Sequence, residues 1–202
     1  MLQVRPMLLV VLASLGAFGE PPEIVLSGIN RGANTGRAVL HSGTVGAALT
    51  AANYDARALA VSLDVIAPGE VGSGGAAFSV TEDARLYWST AAEVAADLLE
   101  DWLADAEPGT VGNLNVPDRP VADLAGLRRA ELAAFGQVRM AIADHGTDFA
   151  RITLEQGEPA AEGTDVRLLG EGYATFTVLE PIRAAAHVAI PAQRAPRVRR
   201  LR

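Results

Sequence analysis

The stretch EIVLSGINRGANTGRAVLHSGTVGAALTAANYDARALAVSL, Glu23–Leu63, decides the fold. It opens on EIVL, Glu23–Leu26, directly after Pro21-Pro22, and this short apolar run predicts a buried strand. A glycine-rich loop follows. Ser42-Gly43-Thr44 then leads into VGAALTAANY, which predicts a helix capped by a hydroxyl. ALAVSL, Ala58–Leu63, predicts a second apolar strand. Strand, helix and strand in that order imply a right-handed crossover and a parallel sheet. The fold class expected is therefore α/β.

The same stretch is also unusual in charge. No Asp or Glu occurs from Ile24 to Tyr54, in a chain that carries 24 acidic residues. A glycine-rich loop between a parallel strand and a helix N-terminus is a ready anion site, because free backbone N–H groups and the helix dipole both favour negative charge there. In open parallel sheets such ligands lie at the carboxyl ends of the strands. Arg31 and Arg37 add positive charge, and the side-chain oxygen of Asn30 or Asn34 can ligate a hard cation such as Mg²⁺ or Mn²⁺. The pattern is neither a P-loop nor a GxGxxG fingerprint. The competing reading is that the glycines serve tight turns and nothing else.

Composition narrows the function classes. A chain of 202 residues, half of them apolar, fits one globular domain. A formal charge of −7 argues against a general nucleic-acid binder. All 17 basic residues are arginine, which reads as composition bias. The absence of cysteine excludes disulfides, thiolate metal sites and thiol nucleophiles. Only His41, His145 and His187 are available, which argues against a multi-histidine zinc site.

Along the rest of the chain, the apolar run Met7–Phe18 fits either a secretory leader or a buried helix leading into the first strand, and it is too short to span a bilayer. Residues 66–80 read as a surface loop. Helical spacing over 84–105 places Trp88 and Trp102 in the core rather than in a ligand box. Thr110–Val116 predicts a third strand. Residues 128–180, with YATFTVL at Tyr173–Leu179, predict a hairpin-rich extension of the core. The five arginines in Arg194–Arg202 read as a solvated, flexible basic tail, set at 191–202.

PPEIVLSGINRGANTGRAVLHSGTVGAALTAANYDARALAVSLD resembles the signature region of the SurE family, the stationary-phase survival 5′/3′-nucleotidases. The family pattern runs P-D-I/L-V-V-S-G-I-N-x-G-x-N, then Y-S-G-T-V-A-A-A, then A-L-A-V-S-L. NLNVPD at Asn113–Asp118 resembles the family's N-x-N-x-P strand, and FGQVRMAI and EGTDVRLLGEGYATFTVL resemble its later hairpin region and its G-T-D and G-Y-V-S-V-T-P-L segments. The resemblance covers residues from about 8 to about 182. It implies a Rossmann-like parallel sheet core, truncated at the N-terminus, with a C-terminal β-hairpin extension, as a single domain over 1–190 that is incomplete at its N-terminus.

The family is one of metal-dependent phosphatases acting on nucleoside monophosphates. The resemblance implies Asn30 as a metal ligand for Mg²⁺ or Mn²⁺. It implies Asn34 as a catalytic residue close to metal and phosphate, and Ser42, Gly43 and Thr44 as the phosphate cradle. His41 stands where the family usually has tyrosine, which implies a wall residue. A homodimer or homotetramer, a cytoplasmic location and no nucleic-acid or membrane partner are implied as well, and Met7–Phe18 matches the helix before the S-G-I-N strand. The family's Asn-Asp-Asp-Gly segment, whose aspartates ligate the metal, has no counterpart. The chain has no Asp-Asp pair, and its first aspartate is Asp55. The expectation is a nucleotidase inactive or impaired as written. The alternative is a non-catalytic remnant that binds nucleotide or phosphate, or oligomerises.

Overall fold

The computed structural model describes residues 6–65, 84–134, 138–146, 150–156 and 160–181. Its centre is a five-stranded sheet built from β1 (Ile24–Arg31), β2 (Arg57–Asp64), β3 (Val111–Pro117), β4 (Leu127–Arg129) and β7 (Ala174–Leu179). The order is β1-β2-β3-β7-β4. β1, β2 and β3 run parallel, and β7 lies antiparallel to β3 and parallel to β4. The expected strand–helix–strand crossover is present, with α2 (Gly43–Ala52) between β1 and β2.

The first strand is longer than the sequence suggests. Ser27-Gly28-Ile29-Asn30 belongs to β1 rather than to a loop. The pairing with β2 shifts register between Ser27 and Asn30, then resumes at Asn30↔Ser62 and Arg31↔Leu63. Gly28 makes this possible, because its φ is +140° and a Cβ there would run into the Val61 carbonyl. A glycine that reads as a turn signal is thus the kink of a bulged strand.

Two apolar layers flank the sheet. On one side α2 sets Val45, Ala48, Ala51 and Ala52 against Ala58, Ala60 and Val111. Small alanines let the helix approach the strands closely. On the other side α3 (Trp88–Asp105) covers Leu59, Leu63, Leu114 and Val116. Trp88 packs there as expected, and the Trp102 ring meets Phe176 edge-on at 5.1 Å.

Three expectations are revised. YATFTVL forms β7 inside the main sheet, because Thr175 and Thr177 pair with Asn115 and Asn113. The hairpin extension is only β5 (Val138–His145) with β6 (Ala150–Gln156), a separate two-stranded sheet. α1 (Pro6–Ser14) is helical but buries none of its residues, with Leu8, Leu9 and Leu12 exposed. Its residues are apolar on every side, so contact with α2 along one side leaves the others uncovered. Among the described residues, no helix is long and apolar enough to cross a membrane. The expected loop at 66–80 and tail at 191–202 lie outside the described residues.

Candidate functional site

The face of the sheet beneath α2 turns polar toward the carboxyl ends of β2 and β3. Period-two alternation puts Asn113 and Asn115 on that face, beside Ser62 of β2 and opposite Thr177 and Thr175 of β7. All five are buried. A buried amide needs partners, and the loop after β1 provides them.

Asn34 sits directly on this polar layer. Its backbone N–H donates to Asn115 Oδ1 at 2.7 Å, and its carbonyl accepts from Asn115 Nδ2 at 3.0 Å and Asn113 Nδ2 at 2.9 Å. Its own Nδ2 donates to Ser62 Oγ at 2.7 Å. None of these bonds uses Asn34 Oδ1. Asn30, two residues from Gly32 at the end of β1, donates through Nδ2 to the Gly32 carbonyl at 2.8 Å and to the Arg31 carbonyl at 3.3 Å. Its Oδ1, the atom a cation would take, accepts none of them. Gly32 N–H in turn donates to the Leu63 carbonyl at 2.8 Å, which ties the loop to β2.

A short 3-10 helix, Gly36–His41, then delivers the chain to α2. Ser42 is the N-cap, as expected, with Oγ accepting from Val45 N–H at 3.1 Å. Gly46 N–H is bonded to the Ser42 carbonyl and Ser42 N–H to the Val39 carbonyl. The amides of Gly43 and Thr44 make none of these bonds and stand at the positive end of the helix dipole. α2 packs against both β1 and β2 and runs back between them, so its N-terminus lies at the carboxyl ends of those strands. The structure thus gathers Asn30, Asn34 and Ser42-Gly43-Thr44 at one end of the sheet. His41 and Arg37 are exposed, and Arg31 is half-buried.

Sequence reasoning gave no role to the groups under Asn34, although the N-x-N alternation of β3 marks two amides on one buried face. It also missed Asp165, a buried carboxylate whose Oδ2 accepts from Gly36 N–H at 2.7 Å. Among the described residues, no three His, Cys, Asp or Glu side chains gather where they could hold a metal ion.

Fold and site define a Rossmann-like α/β protein with a neutral, amide-lined cradle over the carboxyl ends of its parallel strands. The family model of "Survival protein SurE" matches residues 2–139, and the chain belongs to that family. It is 33% identical over 174 residues to 5′-nucleotidase SurE of Archaeoglobus fulgidus, covering 85% of this chain and 63% of that one. It is 38% identical over 170 residues to 5′-nucleotidase SurE of Nitratidesulfovibrio vulgaris, covering 79% of this chain and 55% of that one. Identity is 33% to 5′/3′-nucleotidase SurE of Erwinia tasmaniensis, over 83% of this chain and 60% of that one. The crystal structure of the SurE protein from Aquifex aeolicus superposes with a TM-score of 0.67 at 25% identity, covering 92% of this chain and 70% of that one. The chain spans about three fifths of the length of the curated relatives it matches.

Proposed function

We propose that this chain carries the phosphate-binding part of a 5′/3′-nucleotidase site and takes a nucleoside monophosphate. The observation that supports this best is the pairing of two open amides, Gly43 and Thr44, at the N-terminus of α2 with an asparagine fixed on the polar sheet face. In this reading the phosphate sits on Ser42, Gly43 and Thr44. Asn34 offers Oδ1 as an acceptor to the attacking water, and Asn30 offers one neutral oxygen to a divalent cation.

The described residues do not fit a complete Mg²⁺ or Mn²⁺ site. A hard cation takes about six oxygens, usually including carboxylates. Asn30 brings one amide oxygen, and no carboxylate cluster stands among the described residues. The expected behaviour is binding of nucleotide with weak or no hydrolysis by these 202 residues. The names of the relatives support the reaction class: phosphomonoester hydrolysis.

The test has two arms. AMP and inorganic phosphate are titrated into the 202-residue protein and followed at the Gly43 and Thr44 amides by NMR. Phosphate release from AMP, GMP and p-nitrophenyl phosphate is then measured with Mn²⁺ or Mg²⁺. Binding with little turnover is expected. Failure to bind either ligand at millimolar concentration sinks the reading.

A second role concerns assembly. β5–β6 is a two-stranded sheet of its own, and an isolated hairpin is marginally stable in water. We infer that it is steadied by a second copy of this chain in a homodimer or homotetramer, which sedimentation equilibrium tests directly.

A further inference from the structure

Asp165 opens α4 (Asp165–Gly170) and is fully buried. Three backbone N–H groups hold its carboxylate. Oδ2 accepts from Gly36 at 2.7 Å, and Oδ1 accepts from Ala133 at 3.0 Å and Val166 at 2.8 Å. Burying a charge is costly unless such bonds offset it, so a carboxylate at this position calls for an explanation.

The three donors come from different parts of the chain. Gly36 begins the 3-10 helix between Asn34 and Ser42, and its φ is +54°. Ala133 lies on the segment that leads toward the β5–β6 hairpin. Val166 lies on the segment that returns from it. The two hairpin segments are joined by the Glu131↔Thr164 bridge and by Asp165 N–H to the Glu131 carbonyl at 2.8 Å. Arg37 N–H adds a bond to the Ala133 carbonyl at 3.1 Å. One carboxylate therefore ties the hairpin stem to the loop that carries the candidate site.

That loop has two anchors with different tasks. Ser62, Asn113 and Asn115 fix Asn34 from the sheet. Asp165 fixes Gly36, two residues on, and with it the path into Ser42. If Gly36 shifts, the distance between Asn34 and the α2 N-terminus shifts with it.

We propose that Asp165 is a positioning residue: it sets the spacing between Asn34 and the Ser42-Gly43-Thr44 cradle and couples that spacing to the hairpin stem. The proposal deepens the phosphate-binding reading above and rests on it. Asp165 touches no ligand. It acts through the Gly36 amide.

The test uses ¹⁵N-labelled full chain, with AMP and inorganic phosphate as probes. Asp165→Asn keeps the shape but removes one acceptor and sets an NH₂ group against a backbone N–H. It is expected to speed hydrogen exchange at Gly36 and weaken both probes about tenfold, the scale of one lost charge-assisted bond. Arg167→Ala, at an exposed residue of the same helix whose Nε bonds Glu171 Oε1 at 2.6 Å, is expected to change neither. A folded Asp165→Asn protein with unchanged affinity overturns the proposal, whether or not Gly36 exchanges faster. Wild-type protein that binds neither probe overturns the phosphate reading itself, and the positioning role falls with it. Should Asp165→Asn not fold, the wild-type protein decides. Saturating AMP is expected to slow exchange at Gly36, Ala133 and Val166 together, and protection confined to Gly43 and Thr44 overturns the coupling.

Discussion

Asn115 grips the backbone of Asn34 at both of its polar groups, accepting from its N–H at 2.7 Å and donating to its carbonyl at 3.0 Å. The side-chain amide thereby copies the pairing that a neighbouring strand would give. It fixes a loop residue 81 positions earlier in the chain on a buried face of the sheet. The Asn34 side chain is bonded to Ser62 through Nδ2, and none of these bonds takes up its Oδ1.

Removing that grip strands the Asn34 N–H in a partly dry setting and leaves its carbonyl to Asn113 alone. Asn115→Ala should cost about 2–3 kcal/mol of stability, since each buried group left unmade costs about 1–3 kcal/mol and Asn113 still serves the carbonyl. AMP binding should fall with it. Asn115→Asp keeps the acceptor but sets a second buried oxygen against the Asn34 carbonyl, so it should cost at least as much stability as the alanine variant. Urea denaturation with a parallel AMP titration separates the two, and an alanine variant as stable as wild type would refute the clamp.

Ser42 serves the helix before it serves any ligand. Ser42→Ala removes the oxygen that caps Val45 N–H and should cost about 1 kcal/mol. For a domain of this size, that lowers the melting temperature by about 2–4 °C. Ser42→Gly should cost only a few tenths of a kcal/mol, because glycine is tolerated at the cap. Both should weaken phosphate binding if the hydroxyl touches the anion. A loss of affinity in Ser42→Ala alone would trace the effect to the helix end rather than to the hydroxyl.

How far these features were legible follows from where each signal lay. The crossover from β1 through α2 to β2 was readable because each element announces itself locally: Pro21-Pro22 before the strand, Ser42 at the cap, ALAVSL as an unbroken apolar run. The extent of β1 was not, because Gly28 and Asn30 have the local look of a loop and only pairing with Ser62 and Leu63 makes them strand. The exposure of α1 was equally unreadable, since an apolar helix does not say how much of it finds cover. Asn30, Asn34 and the Ser42-Gly43-Thr44 cradle came from the motif. Asp165 and Asn115 act across 129 and 81 positions, and their partners are backbone groups, which leave no residue-type signature.

Gly28 is expected to be irreplaceable. Alanine would have to adopt φ near +140° while its Cβ met the Val61 carbonyl of the neighbouring strand. Neither strain nor clash can be relieved by a rotamer change, since both partners are backbone. Gly28→Ala should destabilise by more than about 3 kcal/mol, in the range reserved for special backbone positions and overpacked cores. Gly32→Ala isolates the backbone contribution, because φ there is +98° with open space around the added methyl. It should cost distinctly less, and thermal melts of the two variants measure the difference.

The exposed flank of β1 gives the last prediction. Among the described residues β1 is an edge strand, and Leu26, 58% exposed on it, lines an apolar cleft of about 270 Å³ together with Leu59, Val61, Ala95 and Leu99. An open edge beside apolar surface invites pairing with another chain. Leu26→Glu should change folding stability by no more than about 0.5 kcal/mol, because the side chain is largely in water already. It should nevertheless raise the concentration at which the protein aggregates, since a charge on an edge strand opposes strand addition. Light scattering against concentration, beside urea melts of both proteins, checks the two effects independently. Should the variant aggregate at the wild-type concentration, the β1 edge is not the surface that limits solubility, and exposed α1, with Leu8, Leu9 and Leu12, becomes the surface to mutate.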